Sequence, residues 1–295
     1  MTATAAAVPR RHAAENPLHQ AWRRFAANRG AVAGGLVLLI ITLMALCAPF
    51  ITVAGPSEQK FLAQSLGFPS QAHWFGVDDL GRDFFARIVY GARVSLTIGF
   101  SAAFFALLIG IPLGAAAGYY EGWIDWVVMR LIEIFTVVPP LLAAMLLGAM
   151  TGGGFLTIIV IAGLFGWVQV CLLVRAQVKA FKEKEFVRAA QALGASPGYI
   201  IRRHLIPNAI SPIIVGFVLA IPLAMMLEAS LSFLGIGVPP PTPSWGQMIN
   251  TGTSFMYFYW HLAVFPTLAL ALTVLATTLF GDGLRDALDP TLKGV

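Results

Sequence analysis

Charged residues punctuate this chain at long intervals. No Asp, Glu, Lys or Arg falls between Arg29 and Glu58, Arg93 and Glu121, Glu133 and Arg175, Arg203 and Glu228, or Glu228 and Asp282. A charge at the centre of a membrane helix costs roughly 2.5–3.5 kcal/mol. A single span needs about 20 apolar residues. Long uncharged intervals therefore predict spans. The first two intervals predict helices over 31–53 and 94–119. The third is long enough for two, over 131–150 and 155–174, divided at Thr151-Gly152-Gly153-Gly154. The fourth predicts 209–227. The fifth predicts 261–281, because Pro239-Pro240-Pro241-Thr242-Pro243-Ser244 cannot continue a helix before it. The pattern predicts an all-α polytopic protein with six membrane helices.

Composition agrees. Of 295 residues, 58% are hydrophobic and 11% charged, against roughly a quarter charged in soluble domains. The mean hydropathy is +0.79. A cytosolic enzyme, a nucleic-acid binder and a disordered chain are excluded, because a globule leaves much of its surface wet. The two cysteines, Cys47 and Cys171, both sit in apolar stretches and give neither a disulfide framework nor a metal site. There is no GxxxxGK[ST] nucleotide loop and no HExxH. Neither a catalytic set nor a metal site is predicted. His73 and His261 lie far apart without clustered ligands. Asp78, Asp79 and Asp83 lack calcium-loop spacing and are read as capping and solvating the start of an outer helix.

With the N-terminus inside, 15 of the 19 Lys and Arg fall on the cytoplasmic side, and Lys60, Arg82, Arg87 and Arg93 fall outside. That bias follows the positive-inside rule and puts both termini in the cytoplasm. The organisation is then a basic tail at 1–30, a membrane domain at 31–281 and a C-terminal tail at 282–295. The connections are an outer loop at 54–93, a cytoplasmic loop at 175–208 and an outer loop at 228–260. Residues 1–29 lack a small-residue cleavage site after a short apolar core, so they are read as a retained tail. Within it, Leu18, Ala21, Trp22 and Phe25 recur at helical spacing opposite Arg23 and Arg24. Two readings stand for 17–28: an interfacial helix on the inner leaflet, or a basic tail that only fixes orientation.

Chemistry must reside in the loops or in polar groups among the spans. Glu133 and Glu228 sit at predicted span ends. They are read either as carboxylates near interfacial water or as pathway and gating groups. Gln169 and scattered Ser and Thr would line a permissive pore or serve helix packing. The 175–208 loop is the richest segment. Phe186, Ala189, Ala190 and Leu193 form a helical stripe. Gly194 ends that helix, and Ser196-Pro197 starts another as N-cap and first residue. A basic, structured loop with small alanines either docks a soluble partner or packs on itself against anionic lipid.

The run Phe186-Val187-Arg188-Ala189-Ala190-Gln191-Ala192-Leu193-Gly194-Ala195-Ser196, with His204-Leu205-Ile206-Pro207-Asn208, resembles the EAA loop of ABC-importer permease subunits. Arg188 replaces its leading glutamate, while Ala189, Ala190, Gly194 and Pro207 match. Five further stretches resemble the "C"-type permeases of dipeptide, oligopeptide, glutathione and nickel importers. They are His73-Trp74-Phe75-Gly76-Val77-Asp78-Asp79-Leu80-Gly81-Arg82-Asp83 running into Tyr90-Gly91-Ala92-Arg93-Val94-Ser95-Leu96, Gly118-Tyr119-Tyr120-Glu121-Gly122-Trp123, Ala229-Ser230-Leu231-Ser232-Phe233-Leu234-Gly235-Ile236-Gly237, Pro239-Pro240-Pro241-Thr242-Pro243-Ser244-Trp245-Gly246, and Gly281-Asp282-Gly283-Leu284-Arg285-Asp286-Ala287-Leu288-Asp289-Pro290.

The resemblance implies a type I ABC-importer permease fold and a place in the bacterial inner membrane. It implies a heterodimer with a second, homologous permease, two cytoplasmic ATPase subunits and an extracytoplasmic substrate-binding protein. ATP and Mg would be bound by the ATPases, and no cofactor by this chain. Phe186, Arg188, Ala189, Ala190, Gly194, Ala195, Ser196 and Pro207 would form the coupling site. Di- and oligopeptides are the implied cargo, with glutathione and nickel as alternatives. A secondary transporter is the remoter alternative. It needs intramembrane coupling-ion groups and often internal repeats.

Overall fold

The structure, a computed structural model, describes residues 17–288. Helix α1 (Pro17–Ala27) leads into α2 (Arg29–Leu46) and the short α3 (Ala48–Ile51). Then come α4 (Phe84–Tyr120), α5 (Gly122–Val137), α6 (Pro140–Thr151) and α7 (Phe155–Lys182). The loop helices are α8 (Glu185–Ala192), α9 (Pro197–Ile200) and α10 (Ile206–Asn208), and α11 (Ile210–Phe233), α12 (Trp245–Ser254) and α13 (His261–Leu288) complete the chain. No strand occurs among the described residues, only one bridge between Val77 and Asp83.

Among the described residues five single helices, α2, α4, α7, α11 and α13, are long and apolar enough to cross a membrane. A sixth apolar stretch of sufficient length is a bent pair of helices. Helices α5 and α6 meet at 83°, where a straight span over 131–150 was predicted. The cause is Val138-Pro139-Pro140. A residue before proline is driven from helical to extended backbone, and Val138 and Pro139 have ψ of 122° and 119°. Other spans outrun their predicted ends. Asp83 caps α4 by accepting from the Ala86 amide at 2.8 Å, so α4 begins ten residues before 94. Helix α7 continues to Lys182 and α13 to Leu288.

Helices α4 and α7 form the centre. Gly110, Gly114 and Gly118 recur every fourth residue and so share one face of α4. A β-carbon at Gly114 would stand 2.5 Å from the Cys171 carbonyl oxygen, and one at Gly118 would stand 2.7 Å from that of Arg175. The backbones approach only because no side chain intervenes. In lipid such close packing is a main source of helix association. Outward faces are apolar: Leu36 and Leu43 of α2 are exposed, as are Leu268, Leu272 and Leu275 of α13.

The bundle has two ends. Helix α7 runs from the far end to the loop end, and α11 returns. At the loop end, α1 lies against α13 through Phe25 and Phe280, whose rings meet edge-on at 5.4 Å. At the far end a folded loop precedes α4. His73 Nδ1 lies 3.0 Å from Asp83 Oδ2 in a buried contact. Asp83 caps its helix as expected, but Asp78 does not remain solvated. It is buried, accepts from the Arg82 side chain at 2.6 Å and lies 3.4 Å from Arg87 Nε. A buried carboxylate needs such partners.

Candidate coupling surface and central cavity

The 175–208 segment leaves the bundle later than predicted. Arg175 and Lys179 still belong to α7 and turn toward α5. The Arg175 Nη2 donates to Asp125 Oδ2 at 2.6 Å, Lys179 reaches Glu121 at 3.7 Å, and Lys182 reaches Glu121 at 3.6 Å. These contacts clamp α5 to α7 just before the loop.

Helix α8 then forms and stops at a left-handed residue. Gly194 has φ of +79°. The Ala195 amide donates to the Ala190 carbonyl at 3.1 Å and the Gly194 amide to the Gln191 carbonyl at 2.9 Å. These bonds use carbonyls that a helix end leaves unpaired. The Ser196 Oγ accepts from the Tyr199 amide at 3.4 Å, and Pro197 takes the first helical position of α9. A π-helical turn, Ile201–Leu205, and α10 with Pro207 carry the chain into α11.

The loop has two faces. Val187, Ile200, Leu205 and Ala209 are buried and share one apolar cluster with Tyr119 of α4, Val174 and Val178 of α7, and Ile213 of α11. Ala190 and Ala195 pack on the rim of that cluster. The opposite face is open. Leu193 is 88% exposed, Tyr199 54% and Phe186 40%. Ala189, Ser196 and Pro207 are exposed, and Arg188 is exposed and paired with Glu183 at 2.7 Å. The apolar stripe predicted over Phe186, Ala189, Ala190 and Leu193 therefore splits. Burial runs through Val187 and Ala190, while Phe186, Ala189 and Leu193 look outward. His204 lies between the rings of Tyr199, at 5.7 Å, and Phe186, at 6.4 Å. Exposed Arg202 and Arg203 add positive charge.

A cavity of about 770 Å3 opens among α4, α6, α7 and α11. Its walls are small and apolar, including Ala102, Gly166, Leu173 and Ala220. Gln169 and Ser230 are the polar side chains in that wall, and no charged residue lines it. Gln169 thus faces the cavity. Glu133 does not: it is exposed on α5 and paired with Arg130. Glu228 is not in the lining either. It is fully buried, and its carboxylate accepts from Ser95 at 3.1 Å and Ser232 at 2.7 Å. The three predicted pathway residues are not brought together. Among the described residues no group of three or more His, Cys, Asp or Glu side chains is placed to hold a metal ion.

Two features escaped the sequence reading. The glycine stripe of α4 was visible as three glycines at four-residue spacing. The Asp125–Arg175 clamp had no local signal, because the two residues lie far apart in the chain.

Residues 110–294 match the family model for binding-protein-dependent transport system inner membrane components. Residues 16–69 match that for the N-terminal TM domain of oligopeptide transport permease C. A glutathione transport system permease protein, GsiD, from Pectobacterium atrosepticum is 41% identical, covering 94% of this chain and 92% of the relative. A dipeptide transport system permease protein, DppC, from Bacillus subtilis is 43% identical, covering 92% and 85% respectively. Among solved structures, the MetNI methionine ABC transporter in an inward-facing conformation superposes with a TM-score of 0.54. The identity is 19%, over 70% of this chain and 97% of that one, and the likeness is one of fold.

Proposed function

The chain belongs to the family of binding-protein-dependent transport system inner membrane components, the permeases of ABC importers, and on that premise we propose that it forms one half of a pore for short peptides. Glutathione is itself a short peptide, so relatives named for glutathione and for dipeptides support one cargo class.

In this reading the loop end faces the cytoplasm of a bacterium and the far end faces outward. The second half of the pore is a homologous permease. A binding protein delivers cargo at the far end, and two ATPase subunits engage the loop end. This chain hydrolyses nothing. Its task is mechanical. The exposed Phe186, Leu193 and Tyr199 form an apolar face on a charged surface, suited to a groove in a soluble partner. Ala189 leaves room for close approach. Displacement of α8 is passed to the spans because Val187, Ile200 and Leu205 share a core with α4, α7 and α11. Packed interiors transmit such movement instead of absorbing it. The central cavity, apolar and uncharged, would hold cargo weakly enough to release it.

The observation that carries the proposal is this two-faced loop: one face open, the other continuous with the membrane core. Reconstitution tests it. Vesicles holding this chain, the second permease and the ATPases, supplied with the binding protein, should accumulate trialanine or glutathione only with ATP. Uptake by this chain alone, without ATP, would establish a secondary carrier instead.

A further inference from the structure

Between α4 and α5 the backbone reverses on two residues, and one of them is not glycine. Glu121 has φ of +56° and ψ of −157°, and Gly122 follows with φ of +55°. Among the described residues only Glu121 and Leu66 combine a side chain with a positive φ. Residues other than glycine occupy such backbone under strain, and they do so most often at switch regions and functional sites. A position that only turned the chain would be better served by glycine. The Glu121 side chain therefore supplies something that glycine lacks.

Its carboxylate faces the end of α7. Glu121 Oε1 lies 3.7 Å from Lys179 Nζ, and Oε2 lies 3.6 Å from Lys182 Nζ, so each oxygen meets one lysine. Lys182 also sits over the Tyr119 ring at 5.6 Å. Asp125, four residues on, pairs with Arg175 and lies 3.8 Å from Lys179. Arg175, Lys179 and Lys182 share one face of α7. Two carboxylates at the start of α5 thus meet three cations at the end of α7.

The two joined helices lead to different places. Past Lys182 the chain enters α8, the helix with the open face. Helix α5 runs back along α7, with Val128 and Ile132 in one apolar cluster with Trp167 and Cys171. It ends at the Val138-Pro139 bend, and just past that bend Pro140 and Leu141 line the central cavity. One end of α5 is therefore held beside the loop, and the other leads into the cavity wall.

We propose that Glu121 is a positioning residue for transport: by holding Lys179 and Lys182 it makes the start of α5 move with the end of α7, so that displacement of the loop reaches the cavity wall through α5. The inference rests on the transport reading above. It adds an electrostatic route at the membrane edge to the apolar one through Val187, Ile200 and Leu205. The pairs are half-exposed and individually weak, so the effect is graded.

The complete importer, with the binding protein, is reconstituted with wild-type chain or with Glu121→Gln, which keeps the shape and removes the charge. Trialanine imported per ATP hydrolysed is measured, together with the unfolding midpoint of the purified complex. The ratio should fall about fivefold with the midpoint little changed. Adding Lys182→Gln to Glu121→Gln should lower it no further, because both act through one contact. Glu121→Gly separates charge from backbone: it relieves the strain, holds the midpoint at or above that of Glu121→Gln, and should still lower the ratio about fivefold. Should Glu121→Gly not assemble, Glu121→Gln and its double variant carry the test alone. A wild-type ratio in Glu121→Gln would overturn the inference. So would further loss in the double variant, or midpoints that fall in step with the ratio, which would show a merely structural role. If the wild-type complex imports nothing with ATP present, the transport reading itself falls, and the role of Glu121 with it.

Discussion

Ser95 Oγ on α4 donates to Glu228 Oε2 on α11 across 3.1 Å, and neither residue is exposed. Ser232, one turn on along α11, donates to the other carboxylate oxygen at 2.7 Å, and Ser244 at the start of α12 lies 3.3 Å from Ser232. One carboxyl group thus ties three helices at the far end. Glu228→Leu would leave two buried hydroxyls without their acceptor, at about 1–3 kcal/mol each. Glu228→Gln keeps an acceptor and should cost less than about half as much. Thermal unfolding of the purified complex reads the difference. Equal loss in the two variants would mean that shape, not hydrogen bonding, is what this position supplies.

The contact of α4 with α7 depends on absent side chains. Gly114→Val would drive a β-carbon into the Cys171 backbone, which has no flexible end to give way. Overpacking of this kind costs roughly 1–3 kcal/mol. Gly198→Ala is the control, since nothing lies within 4 Å of its added carbon. Unfolding midpoints should fall for the first and hold for the second. A stable Gly114→Val protein would contradict the described packing.

At the loop end, Arg175 and Asp125 should couple measurably. Coupled pairs in contact show interaction energies of about 0.5–3 kcal/mol, and this one is bidentate and half-buried. A double-mutant cycle with Asp125→Asn and Arg175→Gln, read by unfolding of the complex, should be non-additive. Additive losses would show that α5 is held to α7 by other contacts.

These residues mark what could and could not be read from sequence. Span existence was legible because membrane helices exclude charge, so Arg29, Glu58 and Arg93 act as fences. Span ends were not, because helices outrun the bilayer: Asp83 starts α4 through a capping bond, outside the apolar run that flags a span. The reversal at Gly194 and the restart at Ser196-Pro197 were legible, since both are local backbone chemistry. Which side of α8 faces in was not. Phe186 and Val187 are equally apolar, and only the tertiary seat beside Tyr119 and Val178 selects Val187. The burial of Glu228 was not legible for a related reason. Its partner Ser95 comes from another element, and no periodicity announces it.

Gly194 offers a test of coupling separate from docking. Its φ of +79° suits glycine, and open space surrounds it. A side chain there acts through backbone strain of about 1–2 kcal/mol and not through a clash. Gly194→Val should leave membrane insertion intact and ATP hydrolysis running while uptake drops about tenfold, a loss of roughly 1.4 kcal/mol in coupling. Gly194→Asn, which tolerates the left-handed region, should recover much of it. Uptake at the wild-type rate in Gly194→Val would remove the reversal from the coupling path.

What meets the open face of α8 decides whether this loop couples the pore to a motor. A photoreactive amino acid in place of Leu193, which is 88% exposed, reports its neighbour directly. The same label in place of Leu36, exposed on α2, serves as reference. In the assembled importer, irradiation at position 193 should attach this chain to an ATPase subunit, with a yield that changes when ATP is added. Position 36 should label lipid. Cross-links from 193 confined to lipid or to this chain itself would contradict the claim that the loop is where the motor takes hold.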